Sequence, residues 1–321
     1  MALDQQTQAI TDVNLGAANV ATAIELPPMS SSLPSNAVDF IDDVTGIVTS
    51  VNESGRSVTV ETATQGSVTA SEGPSTVVSP NCTTFNLGAS FACAKQGQVA
   101  SLDATLNADG TFQLLEYDPL AIAGGDWVEG TVVQPPSSST RFVIVANDLV
   151  RAPSNTLIGS DLSLGAPVSV SLMDPKPFVV DSKGLTVPAS GFAGSTDASV
   201  LQPGETLAVH VVGFTPVSGA NIATADADFV YLRFTHVAGR VGVNTSPNTF
   251  TMQSFPSFFG LTQPVSVQLS NDSPSTKFDG LSDASFLVSQ QAISISALYF
   301  GPPTGPTPTP TPFCAIKVRV P

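Results

Sequence analysis

Apolar and polar positions alternate with a period of two along most of the chain, and one form of that alternation returns three times. The copies are Thr45-Gly46-Ile47-Val48-Thr49-Ser50-Val51, Glu129-Gly130-Thr131-Val132-Val133 and Ala238-Gly239-Arg240-Val241-Gly242-Val243. A period of two sends successive side chains to opposite faces of a strand, so each copy reads as a half-buried β-strand opened by Gly-x-Val. Each is followed by a second strand of the same kind, Ser57-Val58-Thr59-Val60, Phe142-Val143-Ile144-Val145 and Thr249-Phe250-Thr251-Met252. Counted from these openings, the chain divides into modules at 41–122, 123–234 and 235–321, after an extended segment at 1–40.

Further strands are expected in each module. Module 1 continues at 66–70 and 75–79 and ends in a hairpin, 99–106 with 111–117, turning at Asn107-Ala108-Asp109-Gly110. Module 2 continues at 168–172, 178–180, 206–214 and 227–234. Module 3 continues at 265–269, 276–278 and 291–299, then passes a Pro-rich loop, 301–312, to a closing strand at 315–320. An acidic turn, Asp39-Phe40-Ile41-Asp42-Asp43, is expected before the first opening, and Val20 to Leu26 reads as a single strand stopped by Pro27-Pro28. The fold class is all-β: three tandem small β-barrels, OB-like in size, or β-sandwiches. Closed barrels remove the exposed edges that open sheets present, and a run of sandwiches accommodates the same strands.

Composition supports an all-β chain and narrows the chemistry. Of 321 residues 42% are hydrophobic and only 12% charged, so Ser, Thr, Asn and Gln supply the polar strand faces. Twenty-six prolines and 25 glycines leave little room for long helices. The net charge of −15, with 11 basic residues scattered along the chain, offers no stripe to neutralise phosphates, which argues against a nucleic-acid partner. No run reaches the length of a transmembrane helix. The first residues carry no basic and apolar leader pattern, and we expect a mature portion or fragment of an exported protein.

The Gly-x-Val openings, the Thr-x-Phe step (Thr83-Thr84-Phe85 and Thr276-Lys277-Phe278-Asp279-Gly280) and a late strand before a closing pair resemble a bacterial domain-of-unknown-function family. Its members are short, tandem OB-like β-barrel modules of exported proteins and lipoproteins. The resemblance covers roughly 41–321, and module 2 departs from it at Pro177-Phe178-Val179-Val180-Asp181. It implies an extracytoplasmic, cell-surface location and carries no catalytic residues or cofactor.

Candidate sites are few. His210 and His236 are the two histidines, and neither has a second ligand at zinc-site spacing. Asp42 with Asp43, and Asp226 with Asp228, are the closest carboxylate pairs, and the second pair would share a strand face. Such pairs could serve a hydrolase, a calcium site or solvated turns. Asn107 to Gly110 lacks the distal Glu of a calcium loop and reads as a hairpin turn. Trp127 is the sole tryptophan. Phe255, Phe258 and Phe259 form an apolar loop that either caps a barrel or contacts a partner. Cys82 and Cys93 flank ten residues containing the turn Asn86-Leu87-Gly88, and a disulfide between them is expected, leaving Cys314 as the odd thiol. No catalytic, cofactor or metal residues are assigned. The expectation is a non-enzymatic structural or adhesive surface protein, with glycan or peptide binding as the alternative and a carboxylate hydrolase third. Possible partners are other surface proteins, glycans or the chain itself.

Overall fold

A computed structural model describes residues 2–4, 9–15, 18–20, 37–63, 65–78, 93–120, 125–152, 154–183, 185–187, 191–219, 221–246, 248–254, 256, 259, 261–271, 275–302 and 312–320. Near the start, β1 (Ala2–Asp4), β2 (Ala9–Leu15) and β3 (Ala18–Val20) form a three-stranded antiparallel meander. The strand expected from Val20 to Leu26 therefore has only its first residue in a described element, and the rest lies outside the described residues.

Three five-stranded barrels follow. Barrel 1 comprises β4 (Ala37–Asn52), β5 (Ser57–Thr62), β6 (Gly66–Val78), β7 (Val99–Asn107) and β8 (Phe112–Pro119), closed in the order β4-β5-β6-β8-β7. Barrel 2 repeats this with β9 (Asp126–Val132), β10 (Arg141–Val150), β11 (Pro167–Leu172), β13 (Thr206–Thr215) and β14 (Ala223–Arg233). Barrel 3 repeats it again with β15 (Thr235–Ser246), β16 (Thr249–Gln253), β17 (Val265–Leu269), β19 (Ala292–Tyr299) and β20 (Phe313–Arg319). In each barrel the third strand returns parallel to the fifth and closes the sheet, at Ala70↔Phe112, Val168↔Ala223 and Val267↔Phe313. That closure makes barrels of all three modules and sets the sandwich alternative aside.

The repeat extends to a detail of the third strand. In barrel 1, β6 breaks register and resumes along β8, where Val77 meets Glu116. In barrels 2 and 3 the resumed part is a separate short strand, β12 (Val179–Val180) along β14 and β18 (Lys277–Asp279) along β20.

The Gly-x-Val opening has a steric and a hydrogen-bonding cause. A Cβ on Gly46 would lie 2.3 Å from the Glu61 carbonyl oxygen, and one on Gly130 2.5 Å from that of Val145, because the second strand crosses directly over the first. The valine then exchanges two main-chain hydrogen bonds with a turn before the fourth strand. Val48 N–H donates to the Gln98 carbonyl and Val48 O accepts from Gly97 N–H, each at 2.8 Å. Val132 does the same with Glu205 and Gly204, and Val241 with Gln291 and Gln290, at 2.8 to 2.9 Å. Gly97, Gly204 and Gln290 all have positive φ, at 83°, 100° and 69°. The next residue locks the turn through its side chain: Gln98, Glu205 and Gln291 accept from the N–H of Lys95, Gln202 and Val288 at 3.1, 3.0 and 2.9 Å.

The turn brings its own sequence repeat. Asp197-Ala198-Ser199-Val200-Leu201 and Asp283-Ala284-Ser285-Phe286-Leu287 each form a 3-10 turn capped by the aspartate, which accepts from the serine N–H at 2.8 Å. The acidic turn expected at 39–43 is corrected. Strand β4 runs through it, shifting register between Ile41 and Val44, and Asp43 takes a φ of 49° within that irregularity.

The barrels pack on one another. Leu298, Cys314 and Ile316 from barrel 3 join the apolar core of barrel 2, while Ile47, Val99 and Leu120 of barrel 1 pack on Trp127, Val150, Ala208 and Tyr231 of barrel 2. Because the added methyl of Gly130→Ala meets a backbone carbonyl, the β9–β10 crossing must separate. We expect a loss of about 1–3 kcal/mol in urea unfolding, the usual range for overpacking, whereas the same change at Gly191, which faces open space, should be near neutral.

Candidate functional site

The outer faces of the first, fourth and fifth strands of all three barrels meet, and there the repeated positions carry different chemistry. Asp43 beside Asp103 in barrel 1 corresponds to Trp127 opposite His210 in barrel 2 and to His236 opposite Ser296 in barrel 3. On the fifth strands Glu116, Tyr231 and Lys317 correspond, each facing the short parallel strand segment. Barrel 1 therefore presents acids, and barrel 3 presents bases.

These charges pair across the junction. Lys183 Nζ, following β12, lies 2.5 Å from Asp43 Oδ1, both side chains being under a tenth exposed. Lys317 Nζ lies 2.8 Å from Asp103 Oδ2, again with both buried. Lys277 pairs with Glu116. Ser296 Oγ donates to Asp43 Oδ2 at 3.0 Å, and His236 Nε2 stands 3.7 Å from the same oxygen. Arg233 is buried between Asp181, Glu129 (3.2 Å) and Thr45 Oγ1 (3.4 Å). Asp43 thus joins residues from all three barrels.

Burial alone would push the Asp43 carboxyl up, but Lys183, Lys317, His236 and Arg233 bring it well below its usual range. Asp103 follows the same pattern, its burial outweighed chiefly by Lys317. Burial would lower Lys183 and Arg233, and the surrounding carboxylates hold both raised.

The seam between barrels 1 and 2 behaves differently. A water-sized cavity there is lined by Thr45, Val99, Leu120, Trp127, Glu129, Asp148, Val150 and Ala208, and the buried Trp127 Nε1 has no hydrogen-bond partner among the described residues. Asp148 accepts from the N–H of Leu149 and Thr45 at 2.7 and 3.2 Å. Burial, and then the charge of Glu129, nevertheless raise it to about 7. Burial also raises Glu129, with Arg233 opposing.

At the rim of barrel 2, His210 Nδ1 lies 2.6 Å from Asp228 Oδ1, and Lys176 Nζ 3.1 Å from Asp228 Oδ2. Burial favours the neutral Asp228, but the hydrogen bonds from His210 and Lys176 lower its pKa overall. The His210 ring lies 4.9 Å from Trp127, while Lys176 stands 5.8 Å over Phe229. His210 Nε2 faces the Gly125 backbone, where a Cβ would stand 2.6 Å away. Among the described residues the dyad therefore holds no nucleophile at its second nitrogen. What remains is a half-exposed cation and aromatic surface.

The other predicted residues fall as follows. Asp226 packs over Gly213, so the two carboxylates on β14 have separate partners. The side chain of Asp42 lies outside the described residues. Asn107 to Gly110 is a hairpin turn, closed by Gly110 N–H donating to Asn107 O at 2.9 Å, and Asp109 is occupied by Thr111. Phe259 is corrected as a partner contact: at 6% exposed it packs edge-on against Tyr299 and Phe313, at 5.1 and 5.6 Å. Phe255 and Phe258 lie outside the described residues. Cys93 is buried and disulfide-bonded, Cys82 lies outside the described residues, and Cys314 is a buried free thiol. Among the described residues no group of three or more His, Cys, Asp and Glu is placed to hold a metal ion.

Sequence reasoning missed Lys183, Arg233, Lys277 and Lys317. A signal was available, since Val180-Asp181 precedes Gly184-Leu185 much as Phe278-Asp279 precedes Gly280-Leu281. The two aspartates pair with the equivalent fifth-strand arginines, Arg233 and Arg319. No protein-family model matches the chain, and no curated protein matches it.

Removing one member of a buried pair leaves the other charge unpaired. We expect Lys317→Met to cost about 3–5 kcal/mol in urea unfolding, and Lys317→Met with Asp103→Asn to recover part of that loss. A double-variant loss equal to the sum of the Lys317→Met and Asp103→Asn losses would show that the pair itself contributes nothing.

Proposed function

We propose that this chain is a non-enzymatic, exported structural component of a cell surface. The observation that carries the reading is the three-barrel junction. Its charges are spent on one another across the barrel contacts, so they fix the relative positions of the barrels instead of facing a substrate. Described carboxyls raised into the neutral range, Asp148 and Glu205, are enclosed in seams, where a reacting group could not approach them. The disulfide at Cys93 supports an oxidising compartment. Residence on the surface also agrees with the resemblance to exported tandem-barrel modules.

A second reading has one observation in its favour. The half-exposed Phe229, with Lys176 above it and His210 beside Trp127, is a surface that could take a glycan or an acidic peptide. Lys176→Ala with Phe229→Ala would remove that surface, and because Phe229 also packs on Trp127 and Tyr231, Lys176→Ala alone separates lost binding from lost packing.

Fractionation and protease shaving of cells making the chain test the first reading. We expect the chain in the surface fraction, with Cys93 oxidised in non-reduced peptide maps. Recovery from the cytosol with Cys93 as a thiol would overturn it. Glycan- or peptide-array binding that is lost in the Lys176→Ala/Phe229→Ala variant would establish the second.

A further inference from the structure

The turn that clamps the opening valine is built alike in the three barrels except at one atom. Its locking residue is Gln98 in barrel 1, Gln291 in barrel 3 and Glu205 in barrel 2. All three do the same work with one oxygen, accepting the N–H three residues back. Of the three, Glu205 alone can gain or lose a proton while doing it.

Its location also differs. In barrel 1 the turn residues Lys95, Gln96 and Gly97 are exposed, and in barrel 3 Val288 and Gln290 are. In barrel 2 the turn is the contact with barrel 3. A Cβ on Gly204 would stand 2.4 Å from the Phe259 ring and 3.0 Å from Tyr299. Gln202 packs on the Gly301 backbone. Thr235 Oγ1, at the start of barrel 3, donates to the Gly204 carbonyl at 3.2 Å and lies 3.0 Å from Thr206 Oγ1. Glu205 is 2% exposed within this contact.

We propose that Glu205 makes the joint between barrels 2 and 3 responsive to pH, closed while its carboxyl is protonated and loosened when it ionises. A neutral carboxyl serves the turn as the amides of Gln98 and Gln291 do. A carboxylate would be left buried near the Tyr299 phenol, in the turn whose Gly204 abuts the Phe259 ring, with one hydrogen bond and no counter-ion among the described residues.

The groups facing it bear this out. From β19 the titratable neighbour is Tyr299, whose hydroxyl donates to Phe259 O at 3.3 Å. Burial, then the charge of Glu205, raises that phenol. From barrel 2 the contacts are the Gln202 N–H and the main chain of Val132. Among the described residues no basic side chain acts on Glu205. Burial raises its carboxyl to about 8, against the single opposing hydrogen bond from Gln202. The sign follows: a carboxyl raised in the closed state contributes stability that is fully present below its ordinary pKa of about 4.3 and is lost as pH rises to about 8. Across that window opening releases one proton, so its equilibrium constant rises about tenfold per pH unit and then levels off.

Hydrogen exchange of the full chain tests this by comparing wild type with Glu205→Gln at matched pH, which cancels the intrinsic exchange rate. The peptide covering residues 202–206 should exchange faster in wild type, by a ratio that grows about tenfold per pH unit between about pH 5 and 8. Peptides of barrel 1 should show no such ratio. Gln291→Glu, which puts the same carboxyl into the open turn of barrel 3, should leave the local exchange ratio to wild type flat with pH. A wild-type to Glu205→Gln ratio that does not change with pH would overturn the proposal. So would an equal pH response from Gln291→Glu, because the effect would then belong to the turn and not to the joint.

Discussion

The structure depends on a reciprocal pair of main-chain hydrogen bonds. One valine on the opening strand of each barrel gives its N–H and its carbonyl to a single turn before the fourth strand. The turn can meet it only with one residue in left-handed conformation and the next side chain folded back on the chain. That fixes where the fourth strand starts beside the first. The fifth strand then has one place left, against the third, and the barrel closes. In barrels 1 and 2 the Gly of Gly-x-Val serves the same end, admitting the second strand at a distance no side chain would allow.

With the skeleton so constrained, the outer positions of the first, fourth and fifth strands are free to vary, and they vary by barrel. Acids in barrel 1, aromatics with an arginine in barrel 2 and bases in barrel 3 occupy equivalent places. Three identical barrels could not pair charges in this way, because like would face like. The differences at these positions turn a row of like barrels into one body. It also explains how a chain with a net charge of −15 buries several carboxylates, since scarce cations are concentrated where three barrels meet.

The sequence showed the strands because a period of two survives wherever one strand face is buried, and most boundaries fall within a few residues of those expected. Strands Thr249–Gln253 and Val265–Leu269 begin at the residues where they were expected. The acidic stretch before Val44 looked like a turn because Asp43 favours one, and it is one residue of irregularity inside a strand. Phe259 looked like loop because Pro256 and Ser257 come shortly before it and Gly260 directly after, while its ring lies against Tyr299 and Phe313 from strands distant in sequence. The junction was not legible for the same reason. Lys183 and Asp43 are separated by 140 positions, and local pattern holds no record of a contact that only packing creates.

Strand β20 has a part in three places at once. It closes barrel 3, lends Cys314 and Ile316 to the core of barrel 2 and sends Lys317 to Asp103 of barrel 1. It is also the most distal strand described, so a chain emerging from a ribosome or a translocation pore delivers it after every other described strand. Until it arrives, barrel 3 has an open edge, barrel 2 an uncovered apolar surface and barrel 1 an uncompensated acid. Completion of this body therefore waits for β20, and a product interrupted before that strand would expose faults in all three barrels for quality-control proteases to find.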